Sequence, residues 1–228
     1  MARKKKQQQS ALEQARSGQE AGLLAGPAIR LAENLLDSGI DGRGPFDSAE
    51  KVAQEALESE GSVEKAIDKV ISHHTRLGAA EGFLTSVGGF ITLPVALPAN
   101  VAAFYLLATR MTAAVARLRG YDITDPHIRS AILLTLMGSD STDLLKKAGV
   151  VAPTGAMANL AVQRLPGPAV MMVNKAVGFR ILTQVGKRSL TRLGRAIPLA
   201  GGVIGAGLDG FLMRSISQQA RQEFPQQA

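Results

Sequence analysis

The sequence predicts an all-α fold, and three observations carry the prediction. Apolar residues recur at three- and four-residue spacing along most of the chain, and no stretch sustains the alternation of a half-buried strand. Helix-starting and helix-stopping residues punctuate the apolar runs. The composition agrees. Of 228 residues 46% are hydrophobic, yet only 4% are aromatic and none is Trp, so the apolar character comes from Ala, Val, Leu and Ile, with 24 Gly among them. Small residues at this density suit close helix–helix approach.

The elements follow in order. Residues 1–26, rich in Lys, Gln and Ser, read as a disordered basic extension. Pro27 at a first helical position and Gly39 as a stop predict a short helix. Asp47 or Ser48 caps a helix with Ala49, Val52, Ala53, Ala56 and Leu57 on one face, ending before Gly61. Ser62 caps the next, where Val63, Ile67, Val70, Ile71, His74 and Leu77 form a stripe.

Residues 82–109 then run for 28 positions without a charge. Gly82–Leu93 reads as a short helix, and Pro94 and Pro98 predict a break near Leu93–Leu97. Pro98 suits the first turn of a long helix closed by Gly120, with Arg110 and Arg117 on one side. Thr124 or Asp125 followed by Pro126 is the clearest helix start in the chain. A short helix is expected from Ser139, loops around 150–168, and two final helices at 169–194 and 198–222. Six to nine helices in one domain, residues 27–224, with a tail at 225–228, complete the expected architecture.

Charge is distributed unevenly. The net +7 resolves into +4 over residues 1–30, −5 over 31–80, +1 over 81–160 and +7 over 161–228. A basic last third suggests an anionic partner. Phe179, Leu182, Gly186, Leu190 and Leu193 make an apolar stripe, and Arg180, Lys187, Arg188, Arg192 and Arg195 fall on the opposite arc. Such a basic amphipathic helix suits anionic lipid. Nucleic acid is the weaker fit, because the seven Phe sit mostly in apolar stretches and only two Tyr exist.

Two further features concern packing and membranes. In "GGVIGAGLDG", Gly201 and Gly205 lie four apart, as do Gly202, Ala206 and Gly210, which predicts tight helix packing, with the Gly88-Gly89 region as the expected partner. Phe83, Gly88, Gly89, Phe90, Pro94 and Pro98 are the candidate contacts to a membrane or an apolar ligand. Two prolines four residues apart argue against a straight span, since freed carbonyls have no partner in hydrocarbon. Burial in a core, shallow or hairpin insertion, and a true span are the readings in order of preference.

Catalytic signatures are missing. There is no Cys, hence no disulfide, thiolate nucleophile, Cys-ligated zinc or palmitoyl anchor. There is no GxSxG, P-loop or HExxH, and "GVIGAGLDG" follows Pro198 without a βαβ unit. His73-His74, Glu81, Asp125 and His127 could be drawn as a metal site, but adjacent histidines on a helix point about 100° apart. No catalytic residue, metal or cofactor is expected. The N-terminus carries no apolar signal segment, and Ala2 excludes myristoylation.

Three stretches carry a resemblance: "LLDSGIDGRGPFDSAEKVAQEAL", "HHTRLGAAEGFLTSVGGFITLPVALPANVAAFYLLATRMTAAVARLRGYD" and "IPLAGGVIGAGLDGFLMRSISQQARQEF". Together, from about Pro27 to Phe224, they resemble the EcsC protein family of bacteria. The resemblance implies a helical domain with hydrophobic, Gly-rich segments, linked with membranes and transport, and it supplies no active site. The expected role is therefore non-enzymatic: a cytoplasmic protein, peripheral to the inner face of the membrane, with anionic lipid or a membrane protein complex as partner. The alternative is a soluble carrier holding a lipid or other apolar ligand between helices 82–118 and 198–216.

Overall fold

The computed structural model describes residues 20–43, 46–87, 93–138, 141, 166–192 and 198–227. Among them are seven helices and no strand. We number them α1 (Glu20–Gly39), α2 (Ala49–Glu60), α3 (Val63–Val87), α4 (Leu93–Leu118), α5 (Pro126–Thr135), α6 (Gly167–Arg192) and α7 (Pro198–Glu223).

Local chemistry sets several boundaries where expected. Ser48 caps α2, its hydroxyl accepting from the Lys51 amide at 3.2 Å, and Gly61 ends it in the left-handed region at φ 66°. Asp125 caps α5 through the His127 amide at 2.8 Å, with Pro126 in the first turn. Gly120, at φ 93°, turns the chain out of α4.

Other boundaries move. Helix α1 starts at Glu20, upstream of the expected first position, and Pro27 lies inside it. Pro27 costs one backbone hydrogen bond, but Ala28 beside it is fully buried where α1 packs on α6, and that packing holds the helix through the proline. Residues 82–87 do not form a helix of their own; they continue α3. Helix α4 begins at Leu93 and passes through both Pro94 and Pro98, so the expected break does not fall at Leu93–Leu97. Pro94, in the first turn, forfeits nothing, because that amide has no partner within the helix, whereas Pro98, a turn further on, gives up one i→i−4 bond.

Helix α4 is the axis of the fold and touches all six other helices. Met111 to Ala116 are buried without interruption, so this part of α4 is enclosed on every side. Small residues make that possible: a Cβ on Gly39 would stand 2.8 Å from Thr109, where α1 crosses α4. Val101–Leu118 is long and apolar enough to cross a membrane by composition, but 78% of it is buried inside the protein. That is the pattern of a core helix.

The C-terminal residues return to the bundle. Phe224 is fully buried edge-to-face against Tyr121, at 5.2 Å between ring centroids, and the Gln227 amide donates to the Arg119 carbonyl at 3.0 Å. The tail is thus tied to the end of α4 at Gln227.

Candidate functional site

Helices α3, α4 and α7 are mutually packed, and their side chains fix the register. Along α3 and α7, Glu64 and Asp68 meet Arg221, Gly78 meets Met213, and Ala79 meets Gly210. Along α3 and α4, Glu64 meets Arg119 at 2.7 Å, while Gly78 lies near Phe104. Both pairs are antiparallel. Carried along the helices, this register brings the last turns of α3, the first turns of α4 and the first turns of α7 to one end of the bundle.

None of those helix ends contains a charge: residues 82–87, 93–100 and 198–208 are all uncharged. The opposite end is an ionic cluster, with Glu64 accepting from both Arg119 and Arg221, and Asp68 accepting from Arg221. The three-helix unit is thus polar along its length, charged at one end and apolar at the other.

The basic residues lie next to the apolar end by connectivity. Lys187, Arg188 and Arg192 occupy the last turns of α6, and only residues 193–197 separate α6 from the start of α7. Five residues span less than about 20 Å. The middle of α6 is different. Ala176 to Phe179 and Ile181 are all buried and Arg180 is half-buried, so no amphipathic division exists there. Arg195, Gly88, Gly89 and Phe90 lie outside the described residues, as do the side chains of Phe83, Pro94, Pro98, Lys187, Arg188 and Arg192.

Of the small residues singled out in the last helix, Gly210 packs where α7 meets α3: an added Cβ would sit 3.8 Å from the Ala79 Cβ, an ordinary contact. Gly201, Gly202 and Gly205 fall in α7, but their surroundings, like the Gly88-Gly89 region, lie outside the description. The tightest crossing among the described residues was not anticipated. A Cβ on Gly178 would stand 1.9 Å from the Ala28 carbonyl oxygen, so α1 and α6 touch backbone to backbone.

A cleft of about 500 Å³ opens between α2, α3 and α4. Val52, Ala56, Val70 and Leu77 form its apolar walls, and the acids Asp47 and Glu55 line it together with Lys69, His73, His74, Arg76 and Arg110. His74 is fully buried, with Nδ1 2.8 Å from the Val70 carbonyl; a carbonyl only accepts, so Nδ1 carries the proton. Burial above all, with Arg110 and His73 adding, pulls its imidazole down to about 4 against the opposing Val70 hydrogen bond. His73 stands edge-to-face beside it, at 5.6 Å. His127 instead pairs with Asp125 at the start of α5, and no metal-sized cluster of acids and histidines occurs among the described residues.

Arg110 is the anomaly. Its side chain is 7% exposed, yet its Nε and Nη2 have no hydrogen-bond partner among the described residues. The guanidinium lies against the Phe46 ring, 4.9 Å from the centroid, a contact worth about 1 kcal/mol with the ring 41% exposed. Burial lowers its proton affinity, with Asp47 partly opposing. The one available sign in the sequence is its place as the charge that ends a 28-residue uncharged run.

Compared with known families, residues 6–226 match the model described as the EcsC protein family. No curated protein and no solved structure matches the chain.

Proposed function

The chain belongs to the EcsC protein family, and we propose that it is a non-enzymatic protein that docks on the cytoplasmic face of an anionic membrane and serves a membrane or transport process there. One observation carries the reading: uncharged ends of α3, α4 and α7 gather at one end of the bundle, and the basic last turns of α6 lead directly into that end. An apolar tip gains by leaving water at roughly 25 cal/mol per Å². Each Lys or Arg held near anionic headgroups adds about 1 kcal/mol. The two terms act together only if tip and charges share a side, which the five-residue link from α6 to α7 supports.

The arrangement favours shallow insertion over spanning. Of the uncharged run, residues 82–87 lie in α3 and residues 93–109 in the antiparallel α4, which from Val101 onward is mostly buried in the bundle. Only the tip is left to enter lipid.

Vesicle flotation tests the reading. The protein should float with vesicles containing phosphatidylglycerol and remain largely at the bottom with phosphatidylcholine alone. Raising salt should release only part of it, because the apolar contribution is not screened. Failure to float with either vesicle would remove the proposal.

A further inference from the structure

We propose that the cleft between α2, α3 and α4 is a binding site for a phosphate-type oxyanion, held by the side-on edge of Arg110, with Arg76 at its mouth. The inference is independent of membrane docking and concerns a different part of the molecule.

The two unpartnered atoms of Arg110 are informative as a pair. Nε and Nη2 lie on the same edge of the guanidinium, and their N–H bonds run parallel, which is the fork that accepts two oxygens of one phosphate or carboxylate. A buried guanidinium is costly unless its N–H groups gain partners that offset the lost hydration. Among the described residues no acid supplies one. Asp47 is the acid that acts on Arg110, but its Oδ1 is bound to Lys51 at 2.7 Å, and Glu55 also faces Lys51.

The remaining walls carry the cations Lys69 and Arg76 and the acids Asp47 and Glu55, both acids being drawn to Lys51. Arg76 lines the cleft, is exposed, and has no ion pair among the described residues. His73 stands exposed in the same lining; His74, with its one proton on Nδ1 and given to Val70, has no donor to offer the anion. The apolar strip of Val52, Ala56, Val70 and Leu77 would accept a hydrocarbon attached to the anion, so the phosphate could be free or carried on a lipid headgroup. Phe46 covers the guanidinium face and leaves the in-plane edge to the anion.

Thermal melting with two probes tests this. At matched ionic strength against sodium chloride, inorganic phosphate and monomeric dioctanoyl phosphatidate are each titrated into the protein. A saturable rise in Tm is expected. Equal apparent affinities identify the free oxyanion as sufficient, and a response confined to phosphatidate, or much tighter for it, identifies the lipid headgroup; both support the site. Arg110→Lys keeps the charge but loses the fork, and should weaken the response at least about tenfold. If that variant does not fold, Arg76→Gln, at an exposed position, carries the comparison and should weaken binding severalfold. No saturable rise with either probe, or an undiminished response in the folded variants, would overturn the proposal.

Discussion

Gly178 of α6 faces the backbone of Ala28 in α1 so closely that a Cβ there would lie 1.9 Å from the Ala28 carbonyl oxygen. No rotamer change relieves a clash with backbone. Gly178→Ala must therefore push the helices apart and should cost about 2–3 kcal/mol in urea unfolding. Gly210→Ala is the matched comparison, since its new Cβ meets Ala79 at an ordinary 3.8 Å. There the helical gain of about 0.5–1 kcal/mol from replacing Gly should prevail, leaving stability unchanged or raised.

His74 predicts an acid-sensitive fold. Its folded value of about 4 lies below the ordinary 6.5, so the unfolded chain binds the proton more readily. Its contribution is fully present above pH 6.5 and is lost as pH falls from there toward 4. His74→Leu removes the titration. Between about pH 7 and about pH 4 the wild type should lose about 3 kcal/mol relative to this variant, read from denaturant melts at both pH values. Parallel losses in the two proteins would contradict the assignment.

Arg129 grips Asp41 with two bonds of 2.8 Å each, tying the first turns of α5 to the loop that follows α1. The hydrogen bond from Arg129 holds the Asp41 carboxyl below its usual value despite opposing burial. Asp41 is half exposed, so the pair is partly screened. Arg129→Met should cost about 1 kcal/mol at neutral pH. The difference should shrink as pH falls through the Asp41 carboxyl and the wild type loses the same interaction.

The basic end of α6 predicts a graded loss of membrane affinity. Replacing Lys187, Arg188 and Arg192 together by Gln removes about 3 kcal/mol of headgroup attraction, or about a hundredfold in partitioning onto phosphatidylglycerol vesicles. Far-ultraviolet circular dichroism should stay unchanged. Arg180→Gln, in the half-buried middle of α6, should have little effect on partitioning.

Features legible in the sequence were local ones. Ser48, Gly61, Asp125 and Pro126 set helix limits through groups within a few residues, and the stripe from Val63 to His74 is buried or half-buried as its spacing implies. Leu57 and Leu77 belong to the same apolar pattern but stand 40% and 37% exposed, because no other described helix covers them. Long-range facts were not legible. Gly178 and Gly39 are crossing points only because Ala28 and Thr109 happen to face them. Pro27 sits mid-helix because packing at Ala28 outweighs local preference. Arg110 and Arg117, a heptad apart, have opposite fates: Arg117 pairs with Glu50 at the surface, and Arg110 is sealed against Phe46. The shared apolar end required the antiparallel register of three helices whose contacting segments are far apart in sequence.

The chain has neither Trp nor Cys, so a single introduced indole reports its own surroundings without background. The most direct measurement compares Phe90→Trp, between α3 and α4, with Gln226→Trp, which lies beside Arg119 at the charged end. Both variants are bound to phosphatidylglycerol vesicles with brominated acyl chains. Emission from the Phe90→Trp variant should shift to shorter wavelength and be quenched, while the Gln226→Trp variant should show neither change. Bound protein whose indole at position 90 stays unquenched, or is quenched no more than one at position 226, would contradict insertion of the apolar end.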